Sequence, residues 1–63
     1  MNNGLLMKIG DLIRVFLLPH NDFLSGGLIL KRSSEYIEFL ENGTCRMCYL
    51  RVDAKKYRIE VIS

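Results

Sequence analysis

Apolar residues in this chain recur with a period of two, in short runs, and that period constrains the fold more than any other feature. Over residues 12–18 it places Ile13, Val15 and Leu17 on one side of an extended segment and Leu12, Arg14, Phe16 and Leu18 on the other. Over 28–32 it groups Leu28 with Leu30 and Ile29 with Lys31. Over 36–40 it sets Ile37 and Phe39 against Glu38. Over 44–50, Cys45, Met47 and Tyr49 share one face, and Arg46 and Cys48 the other. Over 57–62, Ile59 and Val61 oppose Arg58, Glu60 and Ile62. These runs are rich in β-branched and aromatic residues and predict five strands. A helix over 35–41 competes with the third, but only about two turns fit before Asn42-Gly43.

The connections support the same reading. Asn42-Gly43 between two strand-like runs predicts a type I′ hairpin, because both central residues need positive φ. Pro19, Asn21, Asp22, Gly26 and Gly27 punctuate residues 19–27 and predict a long first loop. Ser33-Ser34 and residues 53–56 suit short turns. Five short strands joined in this way predict an all-β fold, a small five-stranded barrel, since closing the sheet removes exposed edges. Its interior is expected to hold Ile13, Val15, Leu28, Leu30, Ile37, Phe39, Met47, Ile59 and Val61. Residues 1–6 are expected to form a flexible N-terminal arm, and 7–63 the barrel domain.

The order of these pieces has a family likeness. Met7-Lys8-Ile9-Gly10-Asp11-Leu12-Ile13-Arg14-Val15 resembles the opening of small SH3-like barrels, and Gly27-Leu28-Ile29-Leu30 their second strand. Asn42-Gly43 sits where their distal hairpin turns. Ile59-Glu60-Val61-Ile62-Ser63 is similar to the last strand of the small SH3-like proteins common in tailed phages and environmental genomes. The resemblance implies an SH3-like fold over residues 7–63 and an accessory protein of phage or bacterial type. The first and second pieces also resemble the KOW variant found in ribosomal and transcription proteins, which implies nucleic-acid binding. In the KOW unit the joining segment is short and basic, whereas here it is long, apolar and slightly acidic.

Size and composition narrow the function. A chain of 63 residues buries only about 60% of the surface its unfolded form exposes. With 49% hydrophobic residues, some apolar surface is left over: Leu5, Leu6, Phe16, Leu18, Phe23 and Leu24 have no place in the expected interior. Large apolar patches mark contacts, so a protein partner or a second copy is expected. Nine Lys and Arg against seven Asp and Glu give a net charge of +2, too mild to argue by itself for a polyanionic partner. No run approaches the ~18 apolar residues of a membrane-spanning helix, and no signal-peptide pattern opens the chain. The expected compartment is the cytoplasm, that of the host if the protein is viral.

The pair Cys45 and Cys48 invites a metal or redox reading. Residues three apart in one strand leave by opposite faces, and two Cys and one His fall short of the four ligands of a structural zinc. No helix follows to lower a thiol pKa. His20 has no activating partner in any recognisable motif. The sequence therefore predicts a non-enzymatic protein with no cofactor and no metal. The expected partner-binding residues are His20, Phe23, Leu24, Tyr36 and Tyr49. The alternative, a nucleic-acid-binding module, would use Arg14, Lys31, Arg46 and Arg51, with cations on phosphate and aromatics stacking on bases.

Overall fold

The computed structural model describes residues 7–62, and within them the period of two becomes five strands: β1 (Leu12–Leu17), β2 (Asp22–Arg32), β3 (Tyr36–Glu41), β4 (Met47–Arg51) and β5 (Tyr57–Val61). They form one sheet in the order β4-β3-β2-β1-β5, every neighbouring pair antiparallel. There is no helix among the described residues. The expected arm at 1–6 lies outside the described residues.

The long first loop is a correction. β2 starts at Asp22, so the connection from β1 is only residues 18–21, with a cis Leu18-Pro19 bond and Asn21 at φ 59. Gly26 and Gly27, which read as loop punctuation, lie inside the strand. A Cβ on Gly26 would stand 2.6 Å from the Ile13 carbonyl oxygen. The glycines mark close approach of neighbouring backbones rather than a chain reversal. β2 is consequently eleven residues long and is bonded along its first part to β1 and along its second to β3.

Two bulges bend it. Val15 lies opposite Ser25 but Phe16 opposite Phe23, which leaves Leu24 as an extra residue. Ile29 lies opposite Phe39 but Lys31 opposite Glu38, which leaves Leu30 extra. Each bulge adds local twist and bends its strand. Among the described residues the sheet has no second layer, and it buries its inner face by folding over on itself. The core so formed contains Met7, Ile13, Val15, Ile29, Ile37, Phe39 and Ile59, with Cys48, Leu50, Val52 and Tyr57 packed against it. Full burial of each large aliphatic contributes about 1.5–3 kcal/mol.

Five of the nine expected interior residues are buried: Ile13, Val15, Ile37, Phe39 and Ile59. Leu28 is half-buried, and Leu30, Met47 and Val61 are exposed. The reason is phase. Residues 28–30 and 47–50 are apolar on both faces, so alternation alone does not say which face is inside. Pairing does, because directly opposite residues share a face. Ile29 opposes Phe39, and Cys48 and Leu50 oppose Phe39 and Ile37, so these are the inward residues.

The opening segment caps one end of the core. Gly10 at φ 96 lets residues 8–11 turn, with Asp11 N–H donating to Lys8 O at 3.1 Å. The buried Asp11 carboxylate accepts from Lys8 N–H, also at 3.1 Å. Arg32 Nε donates to Met7 O at 3.1 Å and holds the segment against the end of β2. The ends of the sheet do not meet as a closed barrel: β4 and β5 are its two margins.

Candidate interaction surface

The β3–β4 hairpin builds the surface. In place of a two-residue turn on Asn42-Gly43, the connection covers residues 42–46, and Glu41 N–H donates to Arg46 O at 2.7 Å. Gly43 takes φ 84 and Cys45 φ 59. Thr44 explains the wider turn: its hydroxyl donates to Glu41 Oε1 at 2.8 Å and accepts from Arg46 N–H at 3.2 Å. Cys45, expected in one strand with Cys48, is instead an exposed loop residue, and Cys48 lies half-buried in β4 on the inner face.

The resulting register sets Tyr36 opposite Arg51 and Glu38 opposite Tyr49 on the outer face. The Tyr36 and Tyr49 rings stack at 4.8 Å between centroids, tilted by 33°. The Arg51 guanidinium lies 5.5 Å from the Tyr36 ring centroid, a cation–π arrangement. It also donates twice to Asp53, from Nε and from Nη2, each at 3.0 Å. These bonds lower the Asp53 pKa and raise that of Arg51. Tyr49 nonetheless remains 63% exposed.

Beside this aromatic pair an open cleft of about 240 Å³ runs between β4 and β5. Val15 and Phe39 line it, with Leu24, Cys48, Tyr49, Leu50 and Tyr57 around them and Arg46 and Glu41 at one end. Glu41 ties that end together. It accepts from the Ser25 hydroxyl on β2 and from Thr44, and Arg46 Nη2 stands 3.3 Å from it. The Ser25 and Thr44 bonds, helped by the Arg46 charge, hold its pKa below the ordinary glutamate value. A second depression, lined by Phe23, Leu24, Ser25 and Gly26, adjoins it.

Four of the five expected partner-binding residues are thereby contiguous. Tyr36 touches Tyr49, Tyr49 and Leu24 line one cleft, and Leu24 and Phe23 line the next. His20 stands apart, exposed in the 18–21 turn. Phe23 also meets Phe16 edge-on at 5.9 Å, with Arg58 4.5 Å from the Phe16 centroid.

Three of the four cations of the nucleic-acid alternative pair with carboxylates of the chain, and the fourth lies opposite one. Arg14 pairs with Glu60 across β1 and β5 at 3.7 Å, Arg46 with Glu41, and Arg51 with Asp53. Lys31 on β2 lies opposite Glu38.

Sequence reasoning missed Glu41 as the residue that joins β2 to the hairpin. It also missed an apolar row across the outer face, Met47–Leu40–Leu28–Leu12, each opposite the next. Ile62 extends the row, bonded through its N–H to Leu12 O at 2.9 Å. The row follows from strand register, which single-strand alternation does not contain. No protein-family model matches the chain, and no curated protein or solved structure matches it either.

Proposed function

We propose that this chain is a non-enzymatic interaction module of the SH3-like kind, an accessory protein of phage or bacterial type, and that it works by protein–protein contact. The strand order, with β1 between β2 and β5 and a meander from β2 to β4, supports the SH3-like reading. The observation that carries the functional reading is the Tyr36–Tyr49 pair, whose exposed member Tyr49 lines an apolar cleft. Aromatic residues are enriched at protein contacts, where they supply large area and dominate binding energy. Ion pairing of Arg14, Arg46 and Arg51 within the chain and the mild net charge of +2 favour this reading over nucleic-acid binding.

The test is capture from a bacterial lysate by the immobilised chain, run beside Tyr36→Ala and Leu24→Ala. A discrete set of proteins retained by the parent and lost in both variants supports the proposal. Equal capture by all three overturns it. A parallel titration with labelled single- and double-stranded DNA and RNA across a salt series tests the alternative, since binding through phosphates weakens as salt rises.

A further inference from the structure

The sheet is open along one seam. No Cα of β4 comes within 8 Å of a Cα of β5. Paired strands lie about 4.8 Å apart, so the seam is too wide for β4 and β5 to pair directly. The β3–β4 ladder tells which main-chain groups face it. Glu41 N–H donates to Arg46 O at 2.7 Å, and Val52 N–H to Glu35 O at 2.9 Å. Both bonds belong to the register that sets Phe39 opposite Cys48 and Ile37 opposite Leu50. Bonded and non-bonded pairs alternate along an antiparallel ladder. Cys48 and Leu50 therefore bond β3, whereas the N–H and C=O groups of Met47 and Tyr49 point away from it. Among the described residues no strand lies on that side.

Natural edges of this kind are guarded by charge, proline or cover. Met47 and Tyr49 carry neither guard, being uncharged, non-proline and 48% and 63% exposed. The cleft follows the same margin. Cys48, Tyr49 and Leu50 are consecutive, yet all line it. Successive side chains leave a strand by opposite faces, so the cleft runs along the edge itself. Charge selects the occupant. Arg46 and Arg51 stand at the two ends of the edge, and each is already matched, by Glu41 at 3.3 Å and by Asp53 at 3.0 Å. An uncharged segment complements an edge whose end charges are neutralised and whose cleft presents Leu24, Cys48, Leu50 and Tyr57.

We infer that β4 accepts an extended, uncharged segment of a partner protein as an added strand. Its main chain bonds Met47 and Tyr49, and alternate apolar side chains seat against Cys48, Leu50 and Tyr57. Strand addition of this type takes affinity from main-chain bonds and specificity from alternate side chains. The inference rests on the interaction-module reading and specifies its partner.

Amide hydrogen exchange read by NMR tests it, with the peptide acetyl-Thr-Val-Thr-Val-Thr-Val-amide as probe. Exchange at Met47 and Tyr49 should slow by about tenfold or more, while the Cys48 and Leu50 amides, already bonded to β3, stay as they were. The same peptide with Asp for each Val should change none of the four. Met47→Pro removes an outward N–H that pairs with no described strand, leaves both tyrosine rings in place, and should abolish the protection at Tyr49. If that variant unfolds, Met47→Lys, which places a charge at the seam, should give the same loss. Unchanged exchange up to millimolar peptide overturns the inference, as does equal protection by the Asp peptide. Protection that grows with protein concentration in the absence of peptide also overturns it, by assigning the edge to a second copy. Lysate capture lost in Tyr36→Ala but kept in Met47→Pro and Met47→Lys removes strand addition and leaves the interaction reading standing.

Discussion

Gly27 of β2 stands so close to Leu40 of β3 that a Cβ built on it would lie 1.9 Å from the Leu40 carbonyl oxygen. The obstacle is main chain, so neither partner can swing aside as a flexible side chain would. Gly27→Ala should therefore force β2 and β3 apart and remove most of the stability, which for a core this small is about 3–5 kcal/mol. Gly10→Ala is the contrast. Its φ of 96 is unfavourable for alanine, but nothing lies within 4 Å of the new methyl, and the cost should be about 1–2 kcal/mol. Urea denaturation of the two variants measures the difference; equal midpoints would refute the close approach.

The phase of β2 is open to direct measurement. Ile29 is 0% exposed and Leu30 is 42% exposed. Ile29→Ala should cost about 2–5 kcal/mol, and Leu30→Ala less than about 1 kcal/mol. The reverse order would place Leu30 in the core and shift the β2–β3 register by one residue.

Cys45 adopts φ 59 in the hairpin connection, a region that costs an L residue about 1–2 kcal/mol. Cys45→Gly should raise the thermal midpoint, since glycine enters that region without a steric penalty. Cys45→Val should lower it, because β-branched residues are the least tolerant of positive φ. A midpoint lowered by glycine would mean that the Cys45 side chain makes contacts worth more than the backbone relief.

Glu41 makes stability depend on pH with a definite sign. Its folded-state pKa is lowered, first by the Ser25 hydroxyl and then by Thr44, so the unfolded state takes up a proton at higher pH than the folded state does. Stability is complete above the ordinary glutamate value and is lost as pH falls through the lower folded value. Asp53, lowered by Arg51, contributes in the same direction. Glu41→Gln should flatten the acid limb of the stability–pH curve without abolishing it, and adding Asp53→Asn should flatten it further. Denaturant unfolding from neutral pH down to about pH 3 tests both steps, and an acid limb unchanged in Glu41→Gln would remove Glu41 from the account.

Where the sequence carried the answer, one face of a strand was apolar and the other was not. Ile37 and Phe39 flank Glu38, and Ile13 and Val15 flank Arg14, so the inner face was legible in each case. Where both faces are apolar, as in Leu28-Ile29-Leu30 and Met47-Cys48-Tyr49-Leu50, the inward set is decided by the neighbouring strand, and a bulge at Leu30 resets the count. The length of β2 was hidden by Gly26-Gly27, whose two meanings, turn and close approach, look alike in a linear chain. The aromatic surface was half legible. Tyr36 and Tyr49 stand out individually, but their contact depends on a hairpin whose width Thr44 sets through Glu41 and Arg46. Glu41 itself gave no signal, because its partners Ser25 and Thr44 are far apart along the chain or hidden in a turn.

Among the described residues, the eleven residues of β2 are the only link through which β1 and β5 communicate with β3 and β4 inside the sheet. Such an arrangement has no redundancy at its spine and considerable latitude at its margins. Sequence drift in descendants of this chain should therefore collect on β4, β5 and the 42–46 connection while Gly26, Gly27 and Ile29 resist it. A search for distant kin would do better to weight that central triplet than the chain as a whole.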